Sequence, residues 1–213
     1  MLTLAPWGWS SFPILRVDGV SHFPPRMHGL VRQSLLEDDL PAVRTEYRVG
    51  GGLAWDSESL AVRIGGREHV LQVHRVINHG TAARAVTLGI ALRPYNVLSV
   101  GHINRITIEK RCAWVNGLRG LHFEEAPERW AAADRHLGDP LLHPVSPARA
   151  RLSSRSGLAA GLAEWTWTLR AGEERSLRVL GELDPALVDL RPVKTRALFA
   201  GASLARTQAE ELH

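Results

Sequence analysis

Seven tryptophans are the residues of this chain whose chemistry most suggests contact with a ligand. Indole rings stack on the apolar faces of sugar rings as well as on neighbours in a protein core. Trp165 and Trp167 alternate within one strand-like run and share its apolar face, which favours a core position for both. Trp7 and Trp9 lie in a segment rich in Gly, Ser and Pro, and Trp130 lies in a mostly polar stretch. We predict these three as candidate carbohydrate-binding residues, with the alternative that they close the ends of the fold.

Adjacent acidic residues are the candidates for acid–base chemistry. Such pairs occur at Asp38-Asp39, Glu124-Glu125, Glu173-Glu174 and Glu210-Glu211. Neighbouring side chains on a strand point to opposite faces, so these pairs are more typical of solvated turns. Glycoside hydrolysis needs two carboxylates that converge on one bond, and these can come from distant parts of a chain. Such a pair stays open at this stage, and we assign no catalytic residue.

Metal-binding and nucleophile motifs are missing from the sequence. The chain has ten histidines, but His69, His74 and His79 are five apart, so consecutive members would face opposite sides of a strand. Neither HExxH nor Gly-x-Ser-x-Gly occurs. Cys112 is the single cysteine and is expected to be a buried structural thiol. We therefore expect no metal and no other cofactor.

Composition and charge describe an ordinary globular protein. Of the 213 residues, 45% are hydrophobic and 23% charged, and no apolar run is long enough to cross a bilayer. The net charge is +4, but the arginines are scattered singly and form no basic patch, which argues against a nucleic-acid partner. The N-terminus lacks the pattern of a secretory signal, and one cysteine fits a reducing compartment. We expect a cytoplasmic protein with no membrane partner.

Alternation of apolar and polar residues predicts an all-β fold. In the run that follows residue 84, Val86, Leu88, Ile90 and Leu92 would share one face, which predicts that this face lies in the core. The run before it ends at Asn78-His79-Gly80-Thr81, whose residue types favour a turn. The segment from residue 70 to 94 is therefore predicted to form a β-hairpin.

Other short runs separated by glycines extend the same pattern. Further strands are predicted at residues 42–49, 53–64, 103–109, 112–115, 161–169 and 175–180. Glycines at 50–52 and 65–66 mark turns, and Asn116-Gly117 is a strong hairpin signal. The fold class we predict is a large antiparallel two-sheet β-sandwich, resembling a supersandwich.

Three segments depart from this pattern. Prolines interrupt the first 41 residues, which we expect to wrap the surface or to supply an edge strand. A short helix is expected at Glu128–His136, and a C-terminal helix at Val193–Leu212, which is rich in Ala, Leu, Arg and Glu. We divide the chain into a β-sandwich domain at 1–185 and a linker-like C-terminal helix at 186–213.

A series of short motifs resembles a known family. The motifs are RVIN at 75–78, TLGIALRPYN at 87–96, HINRI at 102–106, VNG at 115–117, GD at 138–139 and EWTWTLRAGEERSL at 164–177. In this order they resemble the N-terminal β-sandwich domain of bacterial glycoside hydrolases related to glycogen debranching enzymes and glucoamylases. The likeness covers most of residues 44–185, and each motif is a strand end or a turn.

The resemblance implies a non-catalytic domain that packs against a helical (α/α)6 barrel, in cis or in trans. In the family it resembles, the barrel carries the two catalytic carboxylates, so no catalytic residue transfers to this chain. On this hypothesis the C-terminal helix would expose an apolar face, through residues such as Leu198, Phe199 and Leu204, to a partner domain. Two alternatives stay open: a free-standing carbohydrate-binding module with an oligosaccharide partner, and a small β-fold enzyme in its own right.

Overall fold

The computed structural model describes residues 2–3, 8–27, 29–36, 42–94, 100–134 and 151–183. Within these ranges the chain forms fifteen strands and one 3-10 helix, at Pro24–Arg26. The strands are β1 Leu2–Thr3, β2 Ser10–Val17, β3 Val20–His22, β4 Val31–Leu35, β5 Ala42–Gly50, β6 Leu53–Ile64, β7 Arg67–Asn78, β8 Arg84–Arg93, β9 Arg105–Glu109, β10 Cys112–Val115, β11 Leu118–Phe123, β12 Arg129–Ala133, β13 Arg151–Ser153, β14 Ala160–Leu169 and β15 Glu174–Glu182. In this part of the chain no helix is long and apolar enough to span a bilayer.

Two antiparallel sheets contain all of these strands. The small sheet has six strands in the order β1-β2-β8-β14-β12, with β3 also paired to β2. The large sheet has nine strands in the order β13-β9-β10-β11-β15-β7-β6-β5-β4. Neighbouring strands run antiparallel throughout both sheets. The predicted two-sheet antiparallel β-sandwich is confirmed.

The main core lies between the two sheets. Val86, Leu88, Ile90 and Leu92 of β8 are all buried in it, so the predicted core face of this strand is confirmed. Across the interface, Phe123 of the large sheet meets Trp165 of the small sheet edge to face, with ring centroids 5.1 Å apart. An edge-to-face pair of this kind adds about 1 kcal/mol to the burial of its rings.

The predicted hairpin from residue 70 to 94 is wrong. β7 belongs to the large sheet and β8 to the small sheet, so residues 79–83 form an arch between sheets. Asn78 fixes this arch, because its amide nitrogen donates to the carbonyls of Ala82 at 2.8 Å and Leu169 at 3.0 Å. Its amide oxygen accepts from the backbone N–H of Gly80 at 3.0 Å. Alternation showed which face of each strand is buried, but it carried no information on which strand pairs with which.

The N-terminal segment contributes more than the expected edge strand. β4 does lie at an edge of the large sheet, but β2 lies inside the small sheet, paired with β8 along its length. On its other side β2 pairs with β1 at Ser10 and Ser11 and with β3 from Leu15 onward. Pro13 falls between these two partners, which explains how an interior strand tolerates a residue without a backbone donor.

The helix expected at Glu128–His136 is also contradicted. Residues 129–133 form the edge strand β12, which pairs with β14 from Arg129 to Ala133. Alanine favours helices, but that preference is small and pairing with a long strand overrides it.

The predicted turns agree with the structure. Asn116 and Gly117 both have positive φ, at 54° and 85°, and connect β10 to β11 as the tight hairpin that this dipeptide favours. The predicted strand at residues 53–64 coincides with β6. Residues 184–213 and 135–150 lie outside the described part, so the domain boundary, the C-terminal helix with Leu198, Phe199 and Leu204, and the Gly138-Asp139 motif stay predictions.

Candidate functional site

The large sheet is wider than the small sheet that packs against it. Inner-face side chains of β9 and β10, such as Ile106 and Ala113, are fully buried under the small sheet. On β4, at the opposite edge, Gln33 is exposed and Leu35 is 62% exposed. The inner face is therefore only partly covered at the ends of β4 and β5 that contain these residues and their partners, and at the far part of β6, whereas Tyr47 of β5 is still buried in the core. We call this surface the open inner face and define it by Gln33, Leu35, Val43, Thr45 and Ser59.

Strand register places a row of polar side chains across this surface. Gln33 lies opposite Thr45, Thr45 opposite Ser57, and Ser57 opposite His74. Residues directly opposite each other in a sheet share a face, so the row runs from the exposed edge to the interior. Gln33 donates to the Thr45 hydroxyl at 3.0 Å, and the Ser57 hydroxyl lies 2.6 Å from Nδ1 of His74. The Tyr47 hydroxyl hydrogen-bonds with Thr45 and Ser57, which makes the row continuous.

His74 forms the buried end of this row. It has no exposed surface, and burial lowers its pKa to about 3, so the imidazole is neutral at physiological pH. Its Nε2 atom has no hydrogen-bond partner among the described residues. The side chain thus anchors a polar chain without bringing a charge into the core.

A second row lies beside the first. Leu35 is opposite Val43, Val43 opposite Ser59, and Ser59 opposite Gln72. Gln72 donates to the Ser59 hydroxyl at 3.3 Å. The two rows together combine uncharged hydrogen-bonding groups with an exposed apolar patch at the β4 edge.

The outer face of the same strands carries charges. Asp56 and Glu58 project there from alternate positions of β6 and are both buried. Arg44 Nη2 is 2.9 Å from Asp56 Oδ2, and Arg75 Nη2 is 3.0 Å from Glu58 Oε1. Arg75 Nε also lies 3.5 Å from Asp56 Oδ1. Both carboxylates are therefore held by arginines in an ion-pair network, an arrangement that suits cross-strand stabilisation better than acid–base catalysis.

Two histidines meet a buried glutamate near the other end of the outer face. Glu182 lies opposite His69, and its Oε1 atom is 3.2 Å from Nε2 of His122. Burial lowers the pKa of His69. Among the residues that the structure describes, no group of three or more His, Cys, Asp or Glu could hold a metal ion. Hydrogen bonding within the sheet is the role this arrangement supports.

Of the three predicted tryptophans the structure describes Trp9 and Trp130, and neither is fully exposed. Trp9 is only 8% exposed and packs so closely over Gly120 that a Cβ there would come within 2.8 Å of Cζ2 of Trp9. Trp130 is half-buried on β12 against the main core. Trp7 lies outside the described residues. Their role in sugar binding stays a prediction, and for Trp9 the geometry favours the alternative of closing the core.

Sequence reasoning missed the polar rows. The sequence marks His74 only as a potential metal ligand, and Thr45, Ser57 and Ser59 only as residues of predicted strands. One indication was present in β6. The face that begins with the apolar residues Leu53 and Trp55 changes to serines at Ser57 and Ser59. Combining that signal with neighbouring strands requires their register, which the sequence alone did not supply.

Comparisons with known proteins give similarity at the level of structure. No family profile and no curated protein matches the chain. A protein described as a kojibiose phosphorylase from human microbiome matches 94% of the chain with a TM-score of 0.45 and 9% identity. A polysaccharide lyase matches 82% of it with a TM-score of 0.39 and 15% identity. The chain spans 24% and 25% of these two proteins, about a quarter of each, and at this similarity neither activity is assigned to it.

Proposed function

We propose that this chain is a non-catalytic β-sandwich domain of a carbohydrate-active enzyme of the glycogen debranching and glucoamylase type. In this proposal it packs against a helical (α/α)6 barrel that supplies the catalytic carboxylates. The proposal is supported chiefly by hydrogen bonds that join four of the six motifs behind the family resemblance at the turns of a two-sheet sandwich.

The first set of motif contacts joins RVIN to the late strand and its turn. Asn78, the last residue of RVIN, bonds through its side chain to the carbonyl of Leu169, the last residue of β14. Its backbone N–H donates to the carbonyl of Glu173 at 2.9 Å, and its carbonyl accepts from Gly172 at 2.7 Å. The connection between β7 and β8 is thus tied to residues 170–173, which connect β14 of the small sheet to β15 of the large sheet.

The second set joins HINRI to the Asn-Gly hairpin. The Asn116 side-chain oxygen accepts from the backbone N–H groups of Asn104 at 2.7 Å and Arg105 at 3.1 Å. Its amide nitrogen donates to the carbonyl of His102 at 2.9 Å. These two sets of motifs are therefore paired parts of one scaffold, which supports a resemblance based on architecture rather than on a catalytic site.

The acidic side chains of the sheet also favour a non-catalytic role. Asp56 and Glu58 are the buried carboxylates that share one face of one strand, and arginines hold both. The open inner face consists of amide, hydroxyl and aliphatic groups, which bind and position but do not exchange protons with a glycosidic oxygen at neutral pH. These features support a domain that presents a surface.

The proposal is tested by the gene and by the partner. We expect the reading frame beyond His213, or a neighbouring gene, to encode several hundred residues of paired amphipathic helices. That protein should co-elute with this chain in gel filtration, and hydrolysis or phosphorolysis of α-glucosides should require the helical part. Turnover of a glycoside panel by the 213-residue chain alone would overturn the proposal, as would a genomic context that encodes no helical partner.

A further inference from the structure

We propose that the open inner face binds a neutral oligosaccharide. This inference rests on the proposed function and deepens it, because it assigns substrate contact to a surface that neither the sequence motifs nor the tryptophans indicated. The ligand we propose is a chain of uncharged sugar units that lies across β4, β5 and β6.

The hydrogen-bonding groups of the surface suit sugar hydroxyls. Gln33 offers an amide that both donates and accepts, and Thr45 and Ser59 offer hydroxyls that do the same. A sugar hydroxyl is likewise donor and acceptor at once, so it can pair with any of them. The exposed end of the row is therefore able to exchange water for sugar without leaving a buried polar group unpaired.

On β4 and β5 the sheet separates its charges from this surface, and at the end of β6 Arg63, on the face of Ser59, is paired with Glu68. The described inner-face residues of β4 and β5 are all uncharged, whereas Arg32, Arg44 and Glu46 of the same strands lie on the outer face. Polyanion sites depend on clustered basic groups, which this surface does not offer. A neutral ligand is the one that matches its electrostatics.

The exposed apolar pair supplies the remaining contact. Leu35 is 62% exposed and Val43 is half-buried directly opposite it, so a small aliphatic patch lies beside the polar row. Sugar rings present carbon-bound hydrogens on their faces and hydroxyls at their rims. The ring face can therefore pack on the aliphatic patch while the hydroxyls bond to the polar row. Three strands spaced about 4.8 Å apart give a surface roughly 10 Å wide from β4 to β6.

Pre-organisation lowers the cost of binding at this surface. Thr45 is held from one side by Gln33 and from the other by Tyr47, Tyr47 in turn contacts Ser57, and Ser57 is bonded to the buried His74. Side chains that are already ordered lose less entropy when a ligand arrives.

The test is a titration of the full chain followed by two-dimensional amide NMR. The probes are maltotetraose, cellotetraose and laminaritetraose as neutral glucans, with tetragalacturonate as an acidic control. We expect at least one neutral glucan to shift the amide signals of β4, β5 and β6, with weak affinity, and the acidic probe to leave them unchanged. Absence of shifts with all three neutral probes, shifts centred on Trp130, or preference for tetragalacturonate would each overturn the inference.

Matched variants identify the contacts. Thr45→Val removes one hydroxyl from the open inner face, and we expect it to raise the dissociation constant about fivefold, the effect of one neutral hydrogen bond. Ser34→Ala removes a hydroxyl from the opposite face of β4 and should leave affinity unchanged. Equal effects of the two variants would contradict the site. A helical partner that co-elutes with a chain unable to bind glucans would remove this inference while leaving the proposed function in place.

Discussion

The covered and the open parts of the large sheet's inner face differ although the same strands build both. On β6, Leu53 and Trp55 lie on the covered part and are buried, whereas Ser59 lies on the same face four residues beyond Trp55 and is half-buried. Strand geometry is equal in the two parts, because alternate residues share a face along the whole strand. What differs is the reach of the small sheet. The face of a residue is thus set locally, whereas its burial depends on how far the opposing sheet extends.

The largest expected effect comes from removing an apolar side chain on each part. Leu177→Ala empties a fully buried position of the covered part, and we expect it to lower the free energy of unfolding by about 2–5 kcal/mol. Leu35→Ala, on the same face of the same sheet, should change it by less than about 0.5 kcal/mol. Urea unfolding measured by far-ultraviolet circular dichroism gives both values. Similar losses for the two variants would show that β4 is covered in solution.

The second largest effect is expected at the arch that follows Asn78, because this arch holds the small sheet over the covered part of the large sheet. Asn78→Ala removes three hydrogen bonds of a fully buried side chain, and we expect a loss of about 3 kcal/mol in unfolding free energy. Asn104→Ala replaces an exposed asparagine and serves as the control, with an expected change below about 0.5 kcal/mol. Equal midpoints in urea would mean that the arch is held by other contacts.

The arch also shows where sequence reasoning stops. The face of β8 and the bounds of β6 followed from alternation and from flanking glycines, which are local properties. The strands that pair with β7 could not be predicted from local properties, because a turn-like connection such as His79-Gly80 is compatible with a hairpin and with an arch. The helix predicted at Glu128–His136 was wrong for a related reason. The weak helical preference of Arg129–Ala133 was overridden by pairing with β14, a strand distant in sequence.

The candidate site was harder to predict from the sequence than the fold was. Gln33, Thr45 and Ser59 stand on three strands, and no spacing in the sequence brings them together. Their proximity depends on two registers, and their exposure depends on the width of the opposing sheet. Tryptophan content was the available signal for sugar contact, and one of the residues it indicated, Trp9, packs into the core.

Acidification should destabilise the junction between the two parts through His74. The histidine binds a proton near pH 6.5 in the unfolded chain but only near pH 3 in the folded protein. Below pH 6.5 the unfolded state therefore holds more protons, so stability is full above that pH and falls as the pH is lowered toward 3. We expect a loss of about 2 kcal/mol between pH 7 and pH 5 from this group.

A pair of urea titrations isolates this contribution. His74→Gln removes the titrating group, so its unfolding free energy should depend on pH less steeply than that of the parent chain, whatever its absolute value. The quantity to compare is the difference between pH 7 and pH 5 for each protein. Parallel pH profiles would show that His74 becomes protonated in the folded state without penalty.

The smallest expected effect is the most informative about the open inner face. Thr45→Val should change the unfolding free energy by less than about 0.5 kcal/mol, because the side chain is only half-buried and valine suits a strand well. A loss above about 1 kcal/mol in urea would instead make the polar row a structural device. If stability is unchanged while glucan affinity falls, the hydroxyl contributes to binding and not to folding. The open inner face would then be a surface whose polar residues serve a ligand, in contrast to the covered part, whose residues serve the core.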